Sequence, residues 1–391
     1  MPESEIKPAI GWFIGVQKWA FRNLVSHLTE ALPDYEHKLN KVGDINVLLA
    51  MDQFDFCDGD KTIIIHVDGN RWAEAEMRKK ISSVEFESGS WSWGVIANHL
   101  KECATEYDIE SVDFNQWRKH GSQEMKGELI LSQNVVQLEY LYNPEKTIAR
   151  MGGNRSFDRK FNQVRDYLRQ MSKCYAVVAT NKNLENIGKM VNPNTHLIQN
   201  GIDLTKWKPQ KGKFWHPRSP IVGFIGNIAS EEKSNYKGFP QLQQACRELH
   251  LALLPALYKQ RQIPHHRMLH DFYYKIDVFV LPTIGEGSNN SIMEALSAGI
   301  PVITTRTAGY HGETMEHGEN VLFCERTTES IKEQLSLLTN NQNLIRKLSE
   351  NGRKYAIQHH NITDITNKYR KIFDAYFAGR EGVPLADRYP D

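Results

Sequence analysis

Two glutamates eight positions apart, Glu286 and Glu294, enclose a short run of small and polar residues. A carboxylate can accept two hydrogen bonds at once, so each acid suits a pair of neighbouring sugar hydroxyls. The residues between them, Gly287 to Asn290, are small enough to let a diphosphate approach the backbone. This spacing indicates a site for two sugars joined by a diphosphate, with one acid binding each sugar.

The elements around these residues place them at the edge of a parallel sheet. Ile276 to Leu281 is a continuous apolar run, typical of a strand buried on both faces. Ser291 to Ala298 has the pattern of a short helix, ended by Gly299 and Pro301. Ligands of open α/β sheets bind at the carboxyl ends of strands, and the free N–H groups of a following helix attract anions. The predicted anion-binding residues are Gly287, Ser288, Asn289, Asn290 and Ser291.

Both acids also have simpler interpretations. Ser291-x-x-Glu294 is a capping box, in which the glutamate only accepts a hydrogen bond from the backbone N–H of the serine. Glu286 is compatible with an exposed loop acid that binds nothing. The residues alone leave these alternatives open.

The same segment resembles the retaining nucleotide-sugar glycosyltransferases of the GT-B fold, in particular the large family 4. The hallmark of that family is Glu-x7-Glu followed by a helix, Gly-x-Pro and a strand. Glu286 and Glu294 fit the first part, and Gly299, Pro301 and the following VITT fit the rest without a gap. NGID, from Asn200, resembles the family's Asn-Gly-(Val/Ile)-Asp, and GFIGN and YKGF resemble the strand and Lys-Gly element that open its second domain. The resemblance covers residues 140 to 375.

The resemblance implies that Glu294 binds the nucleotide ribose, that Glu286 contacts donor-sugar hydroxyls and that Lys237 neutralises the diphosphate. Family members usually place an arginine, as a second phosphate clamp, where this chain has Asn227. Asparagine donates hydrogen bonds without charge, so stabilisation of the leaving group rests more heavily on Lys237 or on Lys233. The implied reaction retains configuration, needs no metal and uses no cofactor beyond the donor, for which we favour a UDP-sugar over a GDP-sugar.

The acceptor is expected against loops of the amino-terminal domain. Family members often have a histidine at the end of one strand there, where this chain has ARMGG. Arg150 is therefore our candidate to hold an anionic acceptor or the donor phosphate, and Gly152 and Gly153 allow close backbone approach. The alternative is a surface arginine before a glycine turn. Further acceptor-side candidates are Gly15, Arg155 and, as a fallback, His66. The predicted catalytic residues are Lys237, Glu286 and Arg150.

Length and composition indicate an ordinary globular protein. The 391 residues exceed the size at which one hydrophobic core stops growing. A net charge of +1 excludes a global attraction to nucleic acid or to anionic membranes. Five cysteines without a Cys-x-x-Cys pair argue against a disulfide framework and a zinc site, and indicate a reducing cytoplasm. The apolar run from Ala9 to Val16 is too short to span a bilayer, so we predict no signal peptide or transmembrane segment.

Short apolar runs alternate with helix-length segments in both halves of the chain. Together with the resemblance, this predicts an α/β protein of the GT-B class, with two Rossmann-like doubly wound domains facing across an interdomain cleft. We expect an acceptor-side domain at 1–205, a nucleotide-sugar-binding domain at 206–362, and a helix and tail at 363–391 that cross back to the first domain. The predicted strands are Ile10–Ile14, Asn46–Ala50, Thr62–His66, Ser83–Phe86, Glu128–Leu131, Lys146–Arg150, Ala176–Thr180 and Ile221–Ile225.

Two pairs of stretches in the first half resemble each other. WAFRNLVSHLTEA, from Trp19, is similar to WSWGVIANHLKEC, from Trp91, and KTIIIHVDGNR, from Lys61, recurs loosely as KTIARMGGNR, from Lys146. We interpret this as a duplication within one domain. Chance similarity between amphipathic helices is the alternative.

The leading hypothesis is a retaining hexosyl- or pentosyltransferase that acts on a hydroxyl of a glycan or small molecule. One alternative is a phage-type DNA glycosyltransferase acting on 5-hydroxymethylated pyrimidines. The basic segment from Arg150 to Lys173 favours it, although such residues also form ordinary solvated helix faces, and the near-neutral total charge disfavours it. A second alternative is a non-catalytic scaffold that binds sugar nucleotides or glycans, favoured only by Asn227 and the missing histidine.

Overall fold

A computed structural model of the chain describes most of residues 79–379 and four short strands before them. The described ranges are 9–13, 36–39, 45–48, 62–64, 79–85, 92–113, 128–140, 143–153, 157, 161–213, 215, 219–257, 263–339 and 341–379. The chain divides into two compact units, Met1–Lys79 and Lys80–Asp391. This division is additional to the domain boundaries at residues 205 and 362, which stay predictions.

The first unit contains a four-stranded parallel sheet. Its strands are β1 (Ala9–Phe13), β2 (Glu36–Leu39), β3 (Ile45–Leu48) and β4 (Thr62–Ile64). They lie in the order β2-β1-β3-β4, and each neighbouring pair is parallel. The chain therefore moves outward from β1 in both directions, which is the doubly wound pattern.

The second unit contains two sheets, of which the first has six strands in the order β10-β9-β8-β7-β5-β6. The strands are β5 (Lys79–Glu85), β6 (Tyr107–Asp113), β7 (Leu129–Ser132), β8 (Thr147–Met151), β9 (Ala176–Ala179) and β10 (Thr195–Leu197). The helices between them include α1 (Ser92–Cys103), α2 (Phe161–Met171) and α3 (Lys182–Val191). β5, β7, β8, β9 and β10 pair in parallel with their neighbours in that order, so the carboxyl ends of these five strands share one edge.

The second sheet of this unit has five parallel strands in the order β12-β11-β13-β14-β15. The strands are β11 (Val222–Gly226), β12 (Leu253–Leu257), β13 (Val278–Leu281), β14 (Val302–Thr304) and β15 (Leu322–Phe323). The helices are α4 (Glu231–Lys237), α5 (Phe239–Glu248), α6 (His265–Asp271), α7 (Asn290–Ser297), α8 (Tyr310–Thr314), α9 (Thr328–Leu338), α10 (Gln342–His360) and α11 (Ile362–Ala378). Short 3₁₀ turns include Tyr273–Lys275.

The last helix, α11, packs on the first sheet of the second unit and not on the sheet that precedes it in sequence. Its apolar residues share one core with residues of β7, β8 and β9. Phe373, for example, meets the ring of Tyr107 edge-on at 5.2 Å between centroids. Those buried residues of α11 are Ile365, Tyr369, Ile372, Phe373, Tyr376 and Phe377.

The predicted strands are all present, within a few residues of their predicted bounds. The sequence gives weaker signals for β2, β6, β10, β12 and β15, which were not expected, and each of these strands lies at the edge of its sheet. An edge strand has a neighbour on one side only and is less apolar than a central strand. β12 even contains Pro255, which a central strand excludes because proline cannot donate to the ladder.

The two resembling halves of the sequence have the same strand order. β2-β1-β3-β4 of the first unit corresponds to β6-β5-β7-β8 of the second. The register also agrees, because the first residue of the fourth strand lies opposite the second residue of the third in both sheets, as Thr62 opposite Asn46 and Thr147 opposite Ile130. The similar strands thus fall in the two compact units, and the duplication within one domain stays a prediction. The stretch from Trp19 lies outside the described residues.

Candidate functional site

The predicted anion-binding segment is the loop between β13 and α7, residues 282–289, which we call the β13–α7 loop. Asn289 caps the helix, since its side-chain oxygen accepts a hydrogen bond of 3.0 Å from the backbone N–H of Ile292. α7 ends before Gly299, whose φ of +70° favours glycine. The predicted strand, loop and helix are therefore confirmed, with the loop at the carboxyl end of a buried strand.

Glu294 does not close a capping box. Ser291 lies inside α7 and Asn289 is the cap, so Glu294 is the fifth helical residue. Its Oε1 lies 3.1 Å from Nε2 of His265, the first residue of α6, and its Oε2 accepts a hydrogen bond of 2.8 Å from the hydroxyl of Tyr273. The capping alternative is wrong, because both carboxylate oxygens are bound by other side chains.

Burial and the carboxylate of Glu294 both shift the pKa values of its two partners, Tyr273 and His265. Tyr273 is fully buried, and burial together with the negative charge of Glu294 raises the pKa of its hydroxyl well above the ordinary value. Burial opposes the charge of His265, but the hydrogen bond to Glu294 and its charge outweigh that effect and raise the pKa of the imidazole. The ring of Trp207 lies 5.4 Å from that of His265. The carboxylate therefore has one neutral and one readily charged donor.

Glu286 is bound by Lys237, which the resemblance assigns to the diphosphate. The ammonium of Lys237 forms an ion pair with Oε1 of Glu286, and Thr283 donates a hydrogen bond of 2.9 Å to the same oxygen. Within the described part of the chain, the other carboxylate oxygen accepts no hydrogen bond. The side chains of Lys237 and Glu286 remain 22% and 14% exposed, so both can be reached from solvent.

The glycine after Lys237 explains why a Lys-Gly pair stands at this position. Lys237 ends α4, and Gly238 has a φ of +67°. A Cβ on Gly238 would lie 2.2 Å from the carbonyl oxygen of Pro282, at the start of the β13–α7 loop. Close packing of the two backbones thus brings the ammonium of Lys237 to the end of β13.

Asn200, the first residue of NGID, forms hydrogen bonds with the end of the β13–α7 loop that leads into α7. Its Nδ2 donates hydrogen bonds to the carbonyl oxygen of Ser288 at 2.6 Å and to Oδ1 of Asn290 at 2.5 Å. Its backbone N–H donates to Oγ of Ser288 at 3.1 Å. The sequence marks NGID only as a domain boundary, and the structure brings its asparagine into the site.

Arg150 lies inside the protein, with 2% of its surface exposed. Its guanidinium donates to Oδ1 of Asn200 and, at 3.5 Å, to the carbonyl oxygen of Gln133, and it also bonds the hydroxyl of Tyr369. Its Nε is buried and has no hydrogen-bond partner among the described residues. Arg150 thus orients Asn200, and a surface arginine is excluded. Its role towards phosphate or acceptor stays a prediction.

The paired glycines after β8 lie close to the backbone of the β13–α7 loop. Their predicted approach to the acceptor or the donor phosphate stays a prediction. A Cβ on Gly287 would lie 2.1 Å from the carbonyl oxygen of Gly152 and 2.6 Å from Oγ1 of Thr180. Gly153 lies opposite Gly287 with more space, 3.7 Å to its backbone nitrogen. The first sheet of this unit therefore contacts the loop through backbone atoms.

Asn227, which stands in place of the usual arginine, accepts a hydrogen bond of 3.0 Å from the backbone N–H of Ala229. This contact shapes the turn before α4. Three acceptor-side candidates, Gly15, Arg155 and His66, lie outside the described residues. Among the described residues, no helix combines the length and the apolar character that crossing a membrane requires.

Sequence reasoning missed His265 and Tyr273. Neither belongs to the Glu-x7-Glu segment, and they lie 29 and 21 positions before Glu294. The signal that was available is the pair of polar aromatic residues, at 265 and 273, upstream of the buried strand. Nothing in their spacing indicates that both converge on one carboxylate.

A family model described as "Glycosyl transferases group 1" matches residues 251–341. The capsular polysaccharide biosynthesis glycosyltransferase CapM of Staphylococcus aureus is 30% identical over 112 residues, which are 28% of this chain and 29% of CapM. An uncharacterized glycosyltransferase of Methanocaldococcus jannaschii is 34% identical over 86 residues, which are 22% of this chain and 24% of that protein. The chain thus spans less than a third of the length of these curated relatives.

Solved structures are similar over nearly the whole chain. Anabaena HepE in complex with UDP and glucose has a TM-score of 0.52 at 13% identity, covering 94% of this chain and 100% of that one. Sucrose-phosphate synthase of Thermosynechococcus elongatus has a TM-score of 0.53 at 13% identity, covering 95% and 100%. These likenesses show the predicted GT-B fold. With the family model, which matches the segment that contains Glu286 and Glu294, and with the curated relatives, they make this chain similar to GT-B glycosyltransferases of group 1.

Proposed function

We propose that this chain is a retaining glycosyltransferase that moves a hexose or pentose from a nucleoside-diphosphate sugar to a hydroxyl of a glycan or small molecule. One observation carries the proposal. A lysine and a glutamate, Lys237 and Glu286, meet at the carboxyl end of a buried strand, and a second glutamate, Glu294, is held eight residues further on in the helix that follows.

The ion pair of Lys237 and Glu286 suits exchange with a donor. Both side chains are partly exposed, so a phosphate can replace the carboxylate as partner of the ammonium. Glu286 would then be free to accept hydrogen bonds from sugar hydroxyls, for which its second oxygen is already available. We assign Lys237 to the diphosphate and Glu286 to the donor sugar on this basis.

The chemical step breaks the bond between the anomeric carbon and the phosphate oxygen. Positive charge develops on the sugar and negative charge on the departing diphosphate. Lys237 and the amino terminus of α7 stabilise the negative charge, and the loop backbone from Gly287 to Asn290 lies beside that helix end. The acceptor hydroxyl attacks from the face that the phosphate leaves, and a phosphate oxygen takes its proton, so the reaction needs neither a metal nor a separate base.

A UDP-sugar is our favoured donor. HepE was solved with UDP and with UDP-glucose, and TarM of Staphylococcus aureus, with a TM-score of 0.52 at 12% identity over 67% of this chain and 58% of that one, was solved with UDP and alpha-GlcNAc-glycerol. These ligands belong to those proteins and support the same class here. The unpaired thiols among the described residues, Cys103, Cys174, Cys246 and Cys324, support a reducing cytoplasm as the place of the reaction.

A mass-spectrometric screen tests the proposal with UDP- and GDP-sugars and three acceptor classes: glycans, small alcohols and DNA with 5-hydroxymethylated pyrimidines. We expect a glycosylated glycan or alcohol, with the anomeric configuration of the donor retained in its NMR coupling constant. Glu286→Ala should abolish transfer, whereas Glu316→Ala, a control at an exposed acid, should not. If only DNA is glycosylated, the acceptor is DNA and not a glycan or small molecule. Donor binding without turnover would indicate a non-catalytic scaffold.

A further inference from the structure

Two side chains outside the Glu-x7-Glu segment fix the carboxylate of Glu294. Tyr273 is fully buried and donates to Oε2, and His265 bonds Oε1. The hydroxyl of Tyr273 also lies 3.1 Å from the carbonyl oxygen of Ser291 in the same helix, and because it has one proton its main hydrogen bond is the shorter one, to Glu294. A carboxylate with a donor on each oxygen, one of them immobile, has a single orientation.

The carboxylate of Glu294 has acceptor sites for further hydrogen bonds. An ionised carboxylate has four lone-pair sites, two on each oxygen. Tyr273 and His265 occupy one site on each oxygen, so one site remains on each. Two neighbouring acceptor sites match the two adjacent hydroxyls of a ribose. The side chain of Glu294 keeps 7% of its surface exposed.

His265 is itself held in place. The ring of Trp207 lies 5.4 Å away, and Trp207 also packs edge-on against Tyr273 at 5.7 Å between centroids. His99 of α1 lies close enough to interact electrostatically, since the charges of His265 and Glu294 both affect the pKa of His99. The imidazole is 30% exposed and is packed on one side by Trp207.

We propose that His265 and Tyr273 are positioning residues that aim the two open sites of Glu294 at the 2′- and 3′-hydroxyls of the donor nucleotide. The inference rests on the proposed function and deepens it, because it makes discrimination for a ribose diol depend on residues outside the known motif. Without them the carboxylate can rotate, and binding of the diol loses its directional preference. Affinity for a nucleotide without the two hydroxyls should not change.

The experiment measures, by calorimetry on the full chain, the ratio of affinities for UDP and 2′,3′-dideoxy-UDP, and in parallel for GDP and its dideoxy analogue. Wild type should prefer the ribonucleotide by about a hundredfold, on the order of tenfold for each hydrogen bond to the carboxylate. His265→Ala and Tyr273→Phe should each reduce this ratio about tenfold with little effect on dideoxy binding. His265→Gln, which keeps a donor, should restore most of it.

His266→Ala and Tyr274→Phe are matched controls at neighbouring positions and should keep the wild-type ratio. Thermal unfolding of every variant identifies general destabilisation, which would weaken both nucleotides equally. Folded variants of His265 and Tyr273 that keep the wild-type ratio would overturn the inference and leave the proposed function standing. Wild-type protein that binds none of the four nucleotides would overturn the proposed function, and this inference with it.

Discussion

The two acids of the β13–α7 segment have opposite surroundings. Glu286 is partly exposed and its partner is a lysine whose side chain is also partly exposed, 22% against 14%. Glu294 is buried, and its partners are a fully buried tyrosine and a histidine packed against Trp207. The first acid is held by a pair that solvent can weaken, and the second by hydrogen bonds that burial strengthens.

This difference matches the two tasks proposed for the acids. In the proposed reaction, the acid and the lysine at the sugar end exchange partners as the donor binds and as charge develops. The nucleoside end does not react, so a rigid acceptor there binds the donor without having to reorganise. On this proposal the site is adaptable at the sugar end and preorganised at the nucleoside end.

Replacing Lys237 should have the largest effect on turnover. Lys237→Ala removes the positive charge nearest the departing diphosphate, and we expect kcat to fall by about 10²–10³-fold, with a smaller change in KM. Initial-rate kinetics with the donor identified by the screen measure this loss. Lys233→Ala, in the same helix, should have a much smaller effect. A larger loss in Lys233→Ala would assign the charge to Lys233.

Gly287→Ala should disturb both ends of the loop at once. The added Cβ would lie 2.1 Å from the carbonyl oxygen of Gly152, so the loop has to move. A displacement of about 1 Å at reacting groups lowers turnover by about a hundredfold. Gly153→Ala is the matched control, because its Cβ would meet the nearest atom at 3.7 Å. If both variants keep activity, the contact between the two loops is not needed for catalysis.

The reacting end of the site was easier to predict than the other. Glu286 and Gly287 lie in one short segment whose residue types suit phosphate and sugar chemistry, and the resemblance to a known family marks Lys237. The partners of Glu294 come from α6 and the turn after it, and Asn200 comes from another part of the chain. Only tertiary packing brings such residues together, and one sequence does not contain that information.

The same limit applies to the fold. Central strands such as β13 are buried on both faces, so their sequence is continuously apolar and predicts a strand directly. Edge strands have no such constraint. β6, with the sequence YDIESVD, and β12, with its proline, are strands because a neighbour pairs with them. Local propensity predicts the interior of these sheets and not their borders.

Replacing each of the two acids should lower the free energy of unfolding by a different amount. Glu294→Gln replaces an ionised acceptor of the buried Tyr273 hydroxyl by a neutral amide, and we expect a loss of about 1–3 kcal/mol in the free energy of unfolding. Glu286→Gln breaks only a partly exposed pair and should cost less than about 1 kcal/mol. Urea unfolding followed by circular dichroism gives both values. Equal losses would contradict the contrast between a rigid and an exchangeable acid.

Acid pH should weaken the hydrogen bonds by which Asn200 holds the β13–α7 loop, and should affect the ion pair of Lys237 and Glu286 less. Asn200 bonds Ser288 and Asn290, and its carbonyl oxygen accepts a hydrogen bond of 2.8 Å from His360. His360 is fully buried and stacks on His311 at 5.0 Å between ring centroids. Burial lowers the pKa of His360 from 6.5 to about 4, and burial also lowers that of His311. Both rings are therefore neutral in the folded protein at neutral pH.

The sign of the resulting pH dependence follows from proton uptake. Between pH 6.5 and 4 an unfolded chain protonates His360 and the folded chain does not, so acidification favours unfolding over this window. From pH 7.5 to 5.5 the contribution of this one group is about 1.4 kcal/mol. His360→Gln should lower stability at pH 7.5 and should lose about that much less on acidification, whereas the exposed control His266→Gln should lose as much as wild type. An equal acid loss in wild type and His360→Gln would exclude His360 as the group whose protonation destabilises the protein.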